Sequence, residues 1–428
     1  MLAAPLARFL AARGIHYGWV MVALVFTYAL CATSAMSVPG VLMVPIGAEF
    51  QWSLGEMSGP MALRLLLFGL MAPLAGALQL RYGMVRMLTI SATLLVIGLL
   101  MAVSMTTRWE LWLGIGVLLG VAPGMTAMVI NAAVAGRWFA ERRGLVTGML
   151  AAALATGQLL FLPVAAWLAE GWGWRAALLP SVVLIAAVAV LFALFAREYP
   201  ADVGLAPFGA TEIAPPAPAP AGNVFVLSFQ ALRDASGRAV FWVLFASFAV
   251  CGMTSFGLMG PHWVPLCIDV GVGAVTGASL LALMGICDFV GTIFSGWLSD
   301  RYDNRWLLGI YYGLRGLSLM WLPFSGFDML GLSIFSIFFG LDYIASVPPT
   351  LKLTIQAFGA ARAPVVFGWI FAGHQFGAAV MAAAAGLSRD ALASYLPAFF
   401  VAGAICVVGA LSMLLLRGRR NPASFGVA

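Results

Sequence analysis

Gly76-Ala77-Leu78-Gln79-Leu80-Arg81-Tyr82 and Gly296-Trp297-Leu298-Ser299-Asp300-Arg301-Tyr302 carry Gly, Leu, Arg and Tyr at the same four places, 220 residues apart. The same offset relates Cys31, Gly40 and Pro45 to Cys251, Gly260 and Pro265. It also relates Gly120 to Gly340, and Arg142, Gly148 and Gly157 to Arg362, Gly368 and Gly377. Chance pairs many small residues in a chain rich in Ala, Leu and Gly, but matches of Cys, Pro, Arg and Tyr at one offset mark two halves built from one unit.

Outward from these segments the chain is a series of apolar runs. Of its 428 residues 63% are hydrophobic and 9% charged, with a mean hydropathy of +1.02. Soluble domains carry about 25% charged residues, so this chain has too little polar material to cover an aqueous surface. An integral membrane protein is expected. A spanning helix needs roughly 20 apolar residues, and runs of that kind lie at about 17–45, 55–79, 84–105, 109–136, 144–169 and 174–196, then 239–267, 275–299, 305–324, 329–350, 363–386 and 394–416. The expected fold is all-α, with twelve transmembrane helices in two pseudo-symmetric six-helix halves, 1–196 and 239–428. Between them, 197–238 contains Ala214-Pro215-Pro216-Ala217-Pro218-Ala219-Pro220-Ala221, which Pro keeps out of helix and which has little to bury, as a linker does.

Charge sets the orientation. The breaks after the even-numbered spans, together with both termini, hold seventeen of the 22 basic residues, from Arg8 to Arg420; the other side holds Arg108, Arg175 and Arg389. The positive-inside rule then puts both termini in the cytoplasm. Arg8 and Arg13 precede a long apolar run, but no small-residue cleavage site follows, and a retained first span is expected. The basic residues are too scattered for nucleic-acid binding. Cys31, Cys251, Cys267, Cys287 and Cys406 show neither paired nor metal-ligand spacing, so no disulfide framework and no metal site are expected.

The segment Gly296-Trp297-Leu298-Ser299-Asp300-Arg301-Tyr302-Asp303-Asn304-Arg305 resembles the G-x-x-x-D-R-x-G-R-[RK] loop of the major facilitator superfamily, and the first copy is its degenerate twin, with Leu80 in place of the Asp. Trp138-Phe139-Ala140-Glu141-Arg142-Arg143-Gly144-Leu145-Val146-Thr147-Gly148 resembles the loop after the fourth span of the monocarboxylate and oxalate–formate carriers. Tyr17-Gly18-Trp19 is similar to the start of their first span, and Pro200-Ala201-Asp202-Val203-Gly204-Leu205-Ala206-Pro207 to the segment after span six in bacterial relatives. The resemblance implies a transporter working by alternating access, and it implies gating by Asp300, Arg301, Arg81 and Arg142. Monocarboxylate members place an Arg four residues after an Asp in span eight. Here Asp288 is followed at that spacing by Thr292, so that anion-binding role does not carry over.

Ionisable groups inside spans are costly, about 2.5–3.5 kcal/mol each at a helix centre, and need partners or work. Arg64 lies nearly half the hydrocarbon depth below the outer end of span two. It either grips a substrate carboxylate, or snorkels outward, or pairs with Glu56 or another wall acid. His374 and Gln375 lie at similar depth in span eleven, which the resemblance puts across the interface from span two; His374 could bind an anion, carry a proton, or simply bond to a neighbouring helix. His262, between Pro261 and Pro265 near the outer end of span seven, either touches substrate or sits at the membrane interface, where its placement is cheap. Asp288 and Asp342 have no basic residue one turn away, and an unpaired desolvated carboxyl favours its protonated form, which suits proton coupling. Arg315 in span nine is expected to be a structural counter-ion to one of them. Tyr28, Asn131 and Gln158 are weaker substrate-binding candidates, since lone polar groups on apolar helices usually bond to other helices.

The function expected is a secondary carrier in a bacterial inner membrane. It would move a small organic anion, most plausibly a monocarboxylate, with protons or in exchange for another anion. Efflux of an amphipathic or cationic compound through Asp288 and Asp342, and a receptor that binds without transporting, are the alternatives. No GxxxxGK[ST], GxSxG or HExxH stands in the chain, and neither an enzyme nor a cofactor is expected. The partners expected are a small-molecule substrate, protons and lipid, and the chain is expected to act as a monomer.

Overall fold

The computed structural model describes residues 2–126, 129–213, 223–359 and 362–415. The run 214–221, the residues Arg417, Arg419 and Arg420, and the side chains of Leu80 and Gln158 lie outside what is described. Regular structure among the described residues is helical, apart from one isolated bridge between Phe139 and Phe208. The first half comprises α1 (Gly18–Val41), α2 (Leu54–Tyr82), α3 (Met84–Ser104), α4 (in pieces: Arg108–Leu111, Trp112–Leu118, Leu119–Gly124 and Val129–Trp138), α5 (Arg143–Trp172) and α6 (Trp174–Phe195). The second comprises α7 (Ala239–Asp269), α8 (Ala274–Ser299), α9 (Asn304–Trp321), α10 (Met329–Asp342 and Val347–Phe358), α11 (Ala363–Leu392) and α12 (Leu396–Leu415).

Among the described residues nine of these helices are long and apolar enough to cross a membrane. The other three fall where spans are expected: α4 is in pieces, α5 contributes the apolar stretch Leu160–Trp172, and α9 carries Arg305 and Arg315.

Local chemistry fixes the helix ends. Ser53 and Glu56 form a reciprocal capping box at the start of α2, with Glu56 N–H to Ser53 Oγ at 3.1 Å and Ser53 N–H to Glu56 Oε2 at 3.0 Å. Gly83, at φ 87°, turns the chain into α3. The first amides of α3 donate to Glu198, Met84 N–H at 2.7 Å and Val85 N–H at 3.0 Å, a carboxylate at the positive end of a helix dipole. Asp303 and Asp328 cap α9 and α10 in the same sense.

The repeat reappears as packing. A Cβ on Gly120 would lie 2.7 Å from the Arg64 carbonyl, and one on Gly340, 220 residues later, 2.8 Å from that of Met284; each glycine lets the fourth helix of its half cross the second closely. The repeat-related Gly40 and Gly260 meet each other, with a Cβ on Gly40 only 2.7 Å from the Gly260 carbonyl.

The halves touch along two seams, α2 against α11 and α5 against α8. At the ends away from the arginine-rich loops they are closed together. Gly40 meets Gly260, Leu162 and Ala166 of α5 join the apolar cluster of α7 and α8, and Gly55 N–H donates to Asp390 Oδ2 at 3.0 Å. At the arginine-rich ends no ion pair joins the halves among the described residues.

Within the segment expected to be irregular linker, Val224–Ser236 is an α-helix, started by Asn223 Oδ1 accepting from Phe225 N–H at 3.1 Å. It lies over α2 and α11 toward their arginine-rich ends. Ser228 Oγ donates to the Pro73 carbonyl at 3.2 Å, and Trp369 Nε1 donates to the Ser228 carbonyl at 3.0 Å. The Pro-rich run to its left in sequence hides its one apolar face from a reading by composition.

Candidate functional site

The second half holds a buried polar cluster centred on a break in α10. Residues 343–346 leave the helix between Asp342 and Val347, freeing backbone groups that other helices satisfy. Ile344 N–H donates to Asp288 Oδ1 of α8 at 2.8 Å, and Thr292 Oγ1, one turn below Asp288, donates to the same oxygen at 3.1 Å. Ser295 Oγ donates to the Ala345 carbonyl at 2.5 Å. From α9, Arg315 reaches across at 0% exposure, its Nε 2.8 Å from Asp342 Oδ2 and its Nη2 donating to the Asp342 and Tyr343 carbonyls. Its Nη1 donates to Thr254 Oγ1 at 3.2 Å and Cys251 Sγ at 3.1 Å, both on α7. Arg315 therefore pairs with Asp342 and not with Asp288, and the choice between the two acids was not decidable from spacing along the chain.

α4 is interrupted at the corresponding place, with Met125 and Thr126 in a turn after Gly124. Tyr28 of α1 supports that turn: its hydroxyl lies 2.9 Å from Thr126 Oγ1 and 2.5 Å from Ser91 Oγ. Both hydrogen bonds are internal to the first half. Broken helices at matching positions of two halves are where carriers build their sites.

Arg64 of α2 is a buried charge with no ion pair among the described residues. It is 3% exposed, its backbone packs on Gly120 of α4, and Nε and Nη1 have no hydrogen-bond partner among the described residues. Glu56, the expected wall acid, instead pairs with Arg108 at 2.7 Å. The next residue, Leu65, packs with Ala378, Ala379 and Ala382 of α11, so Arg64 borders the seam between halves. Gln375 sits on that seam, packed against Gly69 of α2, with Oε1 and Nε2 both buried and without a partner among the described residues. His374, its neighbour, points elsewhere. Its ring stacks on Phe371 at 5.5 Å and contacts Phe248 and Phe256 of α7 at 4.7 and 5.4 Å, and its Nδ1 lacks a partner among the described residues.

His262 corrects an expectation. It is buried rather than exposed at the helix end, with Nε2 2.8 Å from the Ala382 carbonyl of α11 and Nδ1 3.4 Å from Oη of Tyr395, which lies in the turn before α12; α11 packs over it and these two groups take the place of water. Asn131 is half-buried on Val129–Trp138, its Oδ1 without a partner among the described residues. The Gln158 side chain is outside the described residues.

At the arginine-rich ends, Asp300 pairs with Lys352 of α10 at 2.7 Å, and the hydrogen bond from that ammonium holds its carboxyl below the usual carboxylate range. Arg301 lies over the Trp297 ring at 4.1 Å, Arg81 over Tyr82 at 5.5 Å, and Arg142 over Phe208 at 5.3 Å. Each of these contacts stays within its own half or the segment following it. Sequence reasoning missed Lys352 as a partner, although it is the chain's single lysine. It also missed the α10 break, which Pro348 and Pro349 signal because residues before Pro avoid helix.

The family model described as Major Facilitator Superfamily matches residues 24–341 and 264–426. Monocarboxylate transporter 13 of Rattus norvegicus is 25% identical over 406 residues, 94% of this chain and 89% of that protein. The inward-facing, unoccupied structure of a bacterial homolog to the human lysosomal transporter Spinster matches with a TM-score of 0.69 at 16% identity, over 93% of this chain and 95% of that one. The structure of a D-xylose–proton symporter matches with a TM-score of 0.72 at 14% identity, over 94% and 98%.

Proposed function

Because the chain belongs to the major facilitator superfamily, we propose that it is a secondary transporter of a small organic anion, a monocarboxylate, working by alternating access with proton coupling or anion exchange. The observation that carries this reading is Arg64: a guanidinium buried at the border of the two halves with no ionic partner among the described residues. Such a charge in hydrocarbon is balanced by a bound anion, and its fork matches a carboxylate with two parallel hydrogen bonds. Gln375, whose two amide atoms have no partner among the described residues, supplies a second polar contact from the facing helix as the halves close. The relatives named monocarboxylate transporters support the substrate class.

The membrane is a bacterial inner membrane, crossed twelve times, with the arginine-rich loops and both termini in the cytoplasm. The halves meet at the opposite ends, so the conformation is closed outward. Asp288 is the proton carrier: it is half-buried and has no cationic partner among the described residues, whereas Asp342 is already neutralised by Arg315. The gate uses Asp300, Arg301, Arg81 and Arg142, and the protein acts as a monomer.

The same contacts weigh against efflux of a cationic compound. That activity needs free acids at the site, and Asp342 is committed to Arg315 while Asp288 accepts from Ile344 and Thr292. Purified protein in liposomes tests the reading by counterflow of a labelled monocarboxylate such as pyruvate or lactate. Anion counterflow without amine counterflow supports it; binding without counterflow makes the protein a receptor.

A further inference from the structure

The break at 343–346 is attached to its neighbours by backbone groups, and the attachments differ in one respect. Arg315 keeps its charge at any physiological pH and Ser295 does not titrate. Asp288, which accepts from Ile344 N–H at 2.8 Å, is the attachment whose charge a proton removes. The segment that begins just after Ile344 is the inner piece of α10, Val347–Phe358, and it carries Lys352, whose ammonium donates to Asp300 at the end of α8 at 2.7 Å. The inner piece is thus tied to α8 at Asp288, at Ser295 and at Asp300. A charge-assisted hydrogen bond is roughly twice as strong as a neutral one, so protonation of Asp288 weakens the first tie selectively.

We infer that Asp288 is a positioning residue for the inner piece of α10: proton uptake loosens Ile344 from α8 and frees Val347–Phe358, with its Lys352–Asp300 latch, to move. This rests on the proposal that Asp288 carries the proton. Thr292 fits the role. At the place where the resembling carriers hold a cation it puts a neutral donor, so the Asp288 carboxylate is stabilised mainly by the α10 backbone. Among the described residues, the ionisable groups that act on Asp288 are its neighbour Cys287 on the same helix, Cys251 from α7, Arg315 from α9 and Tyr343 at the α10 break. The packed helix α5 brings none between Arg143 and Glu170. Arg315 is saturated by its own five contacts, which leaves the proton on Asp288 as the variable charge.

Hydrogen–deuterium exchange of the full-length protein in nanodiscs tests this, reading the peptide that contains Ile344 at pH 6 and pH 8 after correction for the intrinsic exchange rate. The expected result is about tenfold less protection at pH 6, with a peptide from α12 unchanged. Asp288→Asn should show the low-pH protection at both pH values. Thr292→Val, which removes a donor to the carboxylate, should move the midpoint of the response to higher pH, and with the wild type it keeps the test intact if Asp288→Asn does not fold. A pH-independent Ile344 peptide in the wild type, or an unaltered pH response in Asp288→Asn, overturns the inference. Proton-driven uptake measured beside it separates the two ideas. Lost uptake with an unaltered response removes only the coupling to α10; retained uptake in Asp288→Asn removes the proton carrier, and the exchange data still decide the coupling.

Discussion

Replacing Arg315 with Met should destabilise the second half by about 3–5 kcal/mol, the range for breaking a buried ion pair by removing one partner. The structure says where that arises. Asp342 Oδ2 loses its 2.8 Å partner while Oδ1 has none among the described residues, the Asp342 carbonyl at the α10 break loses its Arg315 donor, and the Tyr343 carbonyl keeps only the distant Cys251 thiol at 3.9 Å. Thr254 is less affected, because its hydroxyl also donates to the Val250 and Cys251 carbonyls at 3.1 and 3.0 Å. Adding Asp342→Asn removes the stranded charge and leaves the carbonyls without their Arg315 donor, an unsatisfied buried group costing about 1–3 kcal/mol. The double variant should therefore lose less than the two singles together, by roughly 1–3 kcal/mol of coupling. A double-mutant cycle read by reversible denaturant titration in mixed micelles measures this. Losses that add within about 0.5 kcal/mol would refute a pair between Arg315 and Asp342, and a larger coupling of Arg315 to Asp288 would move the partner to α8.

Asp288→Asn, which mimics the protonated acid, should still exchange substrate for substrate but fail to accumulate it against a gradient; both are measured as labelled uptake in liposomes with and without an imposed pH difference. Asp300→Asn should slow transport more than Gln79→Ala in equally well-folded protein, because it releases Lys352. With the Asp300 carboxyl held below its usual range, the Asp300–Lys352 attraction is complete above about pH 4 and fades only as pH falls through the lowered value, so this latch should not itself titrate between pH 6 and 8. Gly40→Val should pry the closed ends apart, since even a Cβ there would lie 2.7 Å from the Gly260 carbonyl; thiol-reactive labelling of a cysteine introduced beside Gly40 should rise severalfold.

Much of the architecture was readable because it is written as period and offset. Gly120 and Gly340 stood out as one repeated position, and each proves to be a close helix crossing. Arg64 and Gln375 were readable as expensive groups in apolar runs. Partner choice was not. Arg315 and Asp342 lie 27 residues apart on different helices, and the acid that pairs is the one whose helix breaks where the guanidinium arrives. His262 looked interfacial from its distance to the helix end, but burial depends on α11 lying over it. The helix Val224–Ser236 was lost beside the Pro-rich run because composition averages over a segment, whereas a helix needs only one cap and one face.

Arg64 decides the central claim. Counterflow of a labelled monocarboxylate should fall to the level of empty liposomes with Arg64→Ala, in protein whose melting temperature and elution match the wild type. Arg64→Lys, which keeps the charge but loses the fork, should keep residual transport with affinity weaker by about tenfold or more. Wild-type affinity in folded Arg64→Ala protein would contradict the account and send the search for the anion site to His374.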